Sequence, residues 1–88
     1  MTTQTIERTT LSNLVSNEEY CRKVLPFIKA DYFDVKEERV VFEEITNFVE
    51  KYKRIPTKIS LEIEVESRKD LTEDQHTKIV EIIQTLDA

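Results

Sequence analysis

The stretch DVKEERVVFEEITNFVEKYKRIP, residues 34–56, decides the fold because it predicts the longest helix of the chain. Its apolar residues recur at helical spacing and form a stripe wide enough to face a core. These residues are Val41, Phe42, Ile45, Phe48, Val49 and Tyr52. Asp34, with Glu37 three residues later, matches a capping box, and Pro56 marks the stop. We therefore predict a central long helix at about residues 35–54.

Two shorter helices are predicted before the central one. Residues 1–5 form a polar tail that is expected to be disordered, and sparse apolar residues predict a first helix at about residues 6–15. Ser16 with Glu19 matches a second capping box, so a second helix is predicted to begin at Ser16. Pro26 lacks an amide proton and restrains the residue before it, which predicts a break in that helix.

Apolar side chains of this N-terminal part are expected to complete the core. The predicted buried side of the second helix comprises Tyr20, Val24, Phe27 and Ile28. Residues 29–33 form a connection to the central helix. Its aromatic residues Tyr32 and Phe33 are expected to close one end of the bundle, because moving large rings out of water lowers the free energy.

Residues 59–66 carry an ambiguous pattern, because Ile59, Leu61, Ile63 and Val65 alternate with polar residues. Period two favours a half-buried strand. However, the chain offers no second strand, and a lone strand leaves its backbone groups unpaired. The pairs Ile59–Ile63 and Leu61–Val65 also fit the i,i+4 spacing of a helix. We predict a short helix, with an edge strand that pairs with another molecule as the alternative.

The last predicted helix follows a polar loop at residues 67–71. Thr72 and Gln75 form a third capping box. The apolar face comprises Ile79, Val80, Ile82, Ile83 and Leu86. The expected architecture is all-α, a small bundle of about five helices in which residues 6–88 form a single domain. A chain that stops soon after an uncapped apolar helix is expected to be a fragment of a longer protein, with a complete small protein as the alternative.

Composition excludes several functional classes. The chain has 88 residues, a net charge of −5 and no glycine. Acidity disfavours a dedicated duplex-DNA binder, since phosphate contacts require a basic face. A phosphate-binding loop and a dinucleotide-binding turn both need glycines so that backbone amides approach the phosphates. Neither motif is possible within these residues.

Cysteine and histidine usage disfavours redox and metal chemistry. Cys21 and His76 are the only residues of their types, so they supply neither an intrachain disulfide nor a zinc site by themselves. A lone thiol suits the reducing cytoplasm, and no stretch reaches the roughly 20 apolar residues that span a bilayer. We interpret Cys21 as structural and His76 as a surface or half-buried residue, and we predict no catalytic residue.

Charged clusters have both a structural and a functional interpretation. Most of the carboxylates of Glu37 and Glu38, of Glu43 and Glu44, and of Glu62, Glu64 and Glu66 are better explained as solvated helix faces than as a metal or acid–base site. The one local concentration of basic residues comprises Lys51, Lys53, Arg54 and Lys58. These residues suit the negative end of the helix dipole, and they are also candidate contacts for an acidic partner or for single-stranded nucleic acid.

Four segments, in order, carry a family resemblance. They are LSNLV at residues 11–15, VLPFIKADYFD at 24–34, RVVFEEI at 39–45 and YKRIPTKISL at 52–61. Together they resemble the N-terminal domain of DnaB-family replicative helicases, in particular those of T-even-like bacteriophages. The chain departs from the bacterial pattern because no glycine precedes Pro56 and Thr57 stands in place of the usual aspartate. That departure favours the phage branch.

The resemblance implies a non-catalytic helical domain that precedes a RecA-like ATPase domain absent from this chain. ATP and magnesium are then expected only in that missing domain, with no cofactor held here. It also implies a collar that supports a hexameric ring through paired domains and that docks primase or other replisome proteins. Direct DNA binding is expected to be weak, no membrane partner is expected, and the location would be the cytoplasm, that of the host if a phage encodes the protein.

A second interpretation comes from a different class of protein. A free-standing helical adaptor or inhibitor would bind another protein through an exposed apolar strip. The helicase interpretation predicts further chain with a G-x-x-x-x-G-K-[ST] motif, whereas the adaptor predicts that the chain stops. A helix-turn-helix DNA binder is disfavoured because no basic recognition helix is present.

Overall fold

The fold is built around one long helix, α3 (Lys36–Tyr52), in a computed structural model that describes residues 6–86. The other elements are α1 (Ile6–Ser16), α2 (Glu18–Val24), 3-10 turns at Leu25–Phe27 and Ala30–Tyr32, α4 (Lys58–Glu66) and α5 (Glu73–Thr85). Residues 6–86 contain no strand, which confirms the all-α prediction and the helix predicted at 59–66. The predicted tail at residues 1–5 lies outside the described part of the chain.

Helix α3 is central because it packs against α1, α4 and α5, while α4 and α5 also pack against each other. The stripe predicted on α3 faces the core at Val41, Phe42 and Ile45. The other buried apolar residues are Leu11, Leu14, Val15, Cys21, Phe33, Val40, Leu61, Val65, Ile79, Ile82, Ile83 and Leu86. Burial of these side chains is the main favourable term that holds the helices together.

The start of α3 differs from the predicted capping box. Val35, not Asp34, occupies the cap position, and it makes no side-chain hydrogen bond to the helix. Because the helix begins one residue later than the box requires, the Asp34 carboxylate does not cap the first turn. Instead, the Arg39 guanidinium donates to the carbonyls of Phe33 at 2.6 Å and Asp34 at 3.0 Å. Arg39, a residue of α3, therefore holds the backbone of Phe33 and Asp34, which lie just before the helix.

The start of α2 also lies one residue later than predicted. Ser16 still belongs to α1, where its hydroxyl donates to the carbonyl of Ser12 at 2.8 Å. Asn17 is the cap, and its side-chain oxygen accepts from the Tyr20 amide at 3.0 Å. Ser16 is the last residue of α1, which is one residue longer than its sparse apolar pattern predicts.

Three aromatic residues are more exposed than predicted. The side chain of Phe27 is 86% exposed, so its assignment to the buried side of α2 was wrong. The break predicted at Pro26 is confirmed, and the resulting 3-10 turn points Phe27 away from the core. Phe33 is fully buried as expected, whereas Tyr32 and Tyr52 are both partly exposed.

The ends of the later helices combine one predicted cap and one left-handed residue. Thr72 and Gln75 form the predicted capping box of α5, with hydrogen bonds of 3.1 and 3.0 Å. At the end of α3, Lys53 has φ 60° and ψ 30°, and its amide donates to the carbonyl of Val49. Glycine is the residue that usually takes this left-handed position, and this chain has none.

Candidate docking surfaces

Helix α4 presents an apolar face to solvent. Leu61 and Val65 are fully buried, but Ile59 is 71% exposed and Ile63 is 57% exposed. The exposed residues lie four positions apart, so they occupy one side of the helix. Contiguous exposed apolar surface is a feature of binding sites, so these two neighbouring side chains are a candidate contact for another molecule. We call Ile59 and Ile63 the exposed face of α4.

The start of α4 is held by contacts to its own first turn and to α5. Thr57 caps the helix by accepting from the Ser60 amide at 3.1 Å. The ammonium group of Lys58 donates to the backbone carbonyl of Gln84 in α5 at 3.3 Å. These contacts fix the direction in which the exposed face points.

The turn after α4 is held by Arg68, which contacts three carboxylates. Its guanidinium binds both oxygens of Asp70, at 3.0 and 2.8 Å, and it reaches Glu44 of α3 at 2.9 Å and Glu43 at 3.4 Å. Hydrogen bonding from Arg68 lowers the pKa of Asp70 to about 2, while Asp70 and Glu44 raise the pKa of Arg68. Arg68 thus ties the α4–α5 connection to the middle of α3.

Two carboxylates that were predicted to be solvated are buried. Glu38 is 3% exposed and Glu44 is 7% exposed, which corrects that part of the prediction. Glu38 accepts from Arg8 of α1 at 3.0 Å, and Glu44 accepts from Arg68. A buried carboxylate needs such a partner, because moving an ion from water into a protein interior costs on the order of several kcal/mol. Glu38 thus links α3 to α1, and Glu44 links α3 to the connection between α4 and α5.

The four predicted basic contacts have different surroundings. Lys51, Lys53 and Arg54 are exposed at the end of α3, whereas Lys58 is half-buried in the contact to α5 described above. The Lys51 ammonium group lies 5.2 Å from the centre of the Tyr52 ring. As partner contacts, all four remain a prediction.

The predicted structural interpretation of Cys21 agrees with its environment. Its side chain is buried, and burial, with the nearby charge of Glu18, raises the pKa of the thiol. A raised pKa disfavours the reactive thiolate. His76 is half-buried on the first turn of α5. Across residues 6–86, no group of three or more metal-binding side chains converges.

The chain matches the family model of the DnaB-like helicase N terminal domain over residues 2–88, and it belongs to that family. Searches of curated proteins and of solved structures return no match. Among residues 6–86, no helix is both long and apolar enough to cross a bilayer.

The structure gives Thr57 a local role, because its hydroxyl caps α4. Aspartate, the residue that the resemblance leads us to expect at this position, also caps helices through a side-chain oxygen. The family match favours the helicase interpretation over the free-standing adaptor.

The exposed face of α4 and the burial of Glu38 and Glu44 were not predicted from the sequence. The signal for the first was present, since alternating apolar residues on a helix place two of them on each of two sides. The signal for the second was weaker. Arg8 and Arg68 lie 30 and 24 residues away from their glutamates, and only the fold brings them together.

Proposed function

We propose that this chain is the collar and docking domain of a hexameric ATP-dependent replicative DNA helicase. The domain itself hydrolyses nothing, and ATP and magnesium bind in a separate ATPase domain. It supports ring assembly through pairing with the same domain of another subunit and docks primase or other replisome proteins, with weak direct DNA binding. The T-even-like phage type, and with it the host cytoplasm, belongs to the same proposal. The family match over residues 2–88 supports it.

The exposed face of α4 is the surface that we assign to pairing between subunits. Basic Lys58 lies at the first residue of α4, and the acidic residues Glu62, Glu64 and Glu66 follow toward its end. An antiparallel contact with a second copy would place Ile59 near the partner's Ile63. It would also bring the basic end of one helix toward the acidic end of the other. A two-fold interface of this kind is self-complementary in both shape and charge.

The test measures self-association of the 88-residue chain by sedimentation over a range of concentrations. We expect a weak dimer of the wild type and at least a tenfold rise in the dissociation constant for the double substitution Ile59→Asp and Ile63→Asp. Ile6→Asp is the control, because Ile6 is an isoleucine that is 75% exposed but lies on α1. Equal association of all three proteins would refute the assigned surface, and a stable hexamer of this chain alone would contradict the weak dimer.

The docking role has a separate experiment. The helicase of which this domain is a part would be tested for primase binding after charge reversal of Lys51, Lys53 and Arg54, three exposed residues at the end of α3. The expected result is weakened primase binding with intact ring assembly. Unchanged binding would remove these residues from the proposal.

A further inference from the structure

Three charged residues of α4 form a row beside its exposed face. Lys58, Glu62 and Glu66 are spaced four positions apart, so they lie along one side of the helix. Glu62 and Glu66 each follow an exposed isoleucine by three positions, and residues at this spacing are neighbours on a helix surface. The row therefore borders the exposed face along its length. We call these three residues the charged row of α4.

Lys58 is the one member of the charged row whose side chain has a partner within residues 6–86. Its ammonium group donates to the carbonyl of Gln84 in the last turn of α5, and that turn has no basic residue of its own. An ammonium group has three donors, so two remain available. The carboxylates of Glu62 and Glu66 make no hydrogen bond or ion pair with the described part of the chain. The row thus combines two unmatched carboxylates with a cation whose donors are only partly used.

An antiparallel second copy of α4 would match these charges. When Ile59 lies opposite the partner's Ile63, the two-fold axis brings the charged rows of both helices to the same side of the contact. An α-helix rises about 1.5 Å per residue, so Lys58 then lies midway between the partner's Glu62 and Glu66, about 3 Å from each along the helix axis. Symmetry repeats the same arrangement at the other end of the contact.

A parallel second copy would not produce this match. It would set the charged row beside the opposite side of the partner helix, which carries Ser60 and Glu64. Glu62 would then lie at a height between the partner's Ser60 and Glu64, so that one carboxylate approaches another. Like charges in a contact are unfavourable, and the row therefore discriminates against the parallel direction.

We propose that Lys58 determines the specificity of pairing by binding Gln84 of its own chain together with Glu62 and Glu66 of a second copy. The inference rests on the pairing surface proposed above, and it adds the residues that select the partner and its direction. These ion pairs lie at the rim of the contact, where salt screens them. The dissociation constant of the wild-type pair should rise about fivefold between about 0.05 and 0.5 M sodium chloride. An unchanged or lower constant at high salt would contradict the ion pairs.

The main experiment exchanges the charges between two variants and measures association by sedimentation. Lys58→Glu makes the row wholly acidic, and the double substitution Glu62→Lys and Glu66→Lys makes it wholly basic. Each variant alone should associate at least tenfold more weakly than the wild type, because like charges then face each other. An equimolar mixture should form a mixed pair with a dissociation constant within about threefold of the wild-type value. A mixture that associates no more tightly than either variant alone would refute the inference.

A charge-matched control separates the ion pairs from net charge. The double substitution Glu64→Lys and Glu73→Lys gives the same net charge as the basic variant. However, Glu64 lines a small pocket with Tyr52, and Glu73 lies on α5. This control should pair like the wild type, and its mixed pair with Lys58→Glu should stay at least threefold weaker. A mixed pair as tight as that of the basic variant would overturn the inference.

Two further substitutions separate the charge of Lys58 from its contribution to the fold. Lys58→Arg keeps the charge and its donors, so it should pair like the wild type. Lys58→Met keeps an apolar stem without the charge and should pair about threefold more weakly. Equal pairing by Lys58→Met and the wild type would refute the role of Lys58. Restoration in the charge-exchanged mixture also requires that both of its variants are folded.

The outcomes distinguish this inference from the proposed function. Loss of pairing on substituting both Ile59 and Ile63 with Asp, without restoration in the charge-exchanged mixture, would mean that the α4 face pairs but that Lys58 does not select the partner. Undiminished pairing of that isoleucine variant would mean that the assigned pairing surface is wrong, and the inference about Lys58 would be refuted with it.

Discussion

The two sides of α4 carry the same kinds of residue in opposite environments. Leu61 and Val65 are enclosed by the core, whereas Ile59 and Ile63 face water. The difference arises from what lies opposite each side, since α3 and α5 pack against only one of them. An apolar pattern therefore identifies faces that favour burial. It does not identify which face is buried within the same chain.

The largest expected effect tests this comparison directly. Leu61→Ala should lower the free energy of unfolding by about 2–5 kcal/mol, because it leaves a cavity in the core. Ile63→Ala should change it by less than about 0.5 kcal/mol, as is usual for exposed positions. Urea unfolding followed by circular dichroism gives both values. Similar losses for the two variants would mean that α4 is not oriented as described.

The second effect extends the comparison from apolar residues to glutamates. Glu38→Ala should cost about 1–3 kcal/mol, since it removes a buried carboxylate that accepts from Arg8. Glu66→Ala is the exposed control on α4 and should be close to neutral. Urea unfolding measures both changes in stability. An unchanged free energy of unfolding for Glu38→Ala would show that the ion pair between Arg8 of α1 and Glu38 of α3 does not contribute to stability.

The third effect has the opposite sign and concerns the backbone. Lys53→Gly should raise the free energy of unfolding by roughly 0.5–1 kcal/mol, because glycine adopts the left-handed conformation without strain. Lys51→Gly is the matched control inside α3, where glycine should destabilise by about 1 kcal/mol. Thermal unfolding by calorimetry would measure both shifts. Destabilisation by Lys53→Gly would argue against the left-handed end of α3.

The smallest effect concerns pH and Asp70. Its pKa is lowered to about 2 by hydrogen bonds from Arg68, so the folded state binds this proton less readily than the unfolded state. The resulting stabilisation is present above the ordinary pKa of about 4, and it is lost as the pH falls toward 2. Because Asp70 is exposed, the effect is small and weakens with salt.

The measurement for Asp70 is the urea midpoint at pH 5, 4, 3 and 2, for the wild type and for Asp70→Asn. The difference between the two proteins should shrink as the pH falls through this range. A difference in urea midpoint that stays constant with pH would mean that the paired hydrogen bonds between Arg68 and Asp70 do not persist in solution.

Much of the fold follows from local sequence features. Periodicity located the long helix, Thr72 and Gln75 located the start of α5, and Pro26 located the break after α2. These features succeed because their physics acts within one or two turns of the backbone. The capping boxes at Asp34 and Ser16 failed by a single residue each. Asn17 supplies the cap of α2 in place of Ser16, whereas α3 starts at Val35 without a side-chain cap, and Arg39 donates to the carbonyls of Phe33 and Asp34.

Less of the candidate site was predictable. The exposure of Phe27 depends on how the 3-10 turn is directed, and the burial of Glu38 and Glu44 depends on arginines distant in sequence. Such features are set by the packing of whole helices, which no local pattern encodes. The family assignment needed the order of four segments, since each segment alone is mostly a core pattern.

The contacts at the two ends of α4 have a thermodynamic consequence for association. Lys58 ties the start of the helix to α5, and Arg68 ties the residues after its end to α3. A partner that binds Ile59 and Ile63 therefore meets side chains on a backbone that is already ordered. Little conformational entropy is then lost on binding. A small apolar contact between two such domains would therefore give a higher affinity than the same contact on a disordered segment. In the ring proposed above, this advantage would be repeated at each equivalent interface.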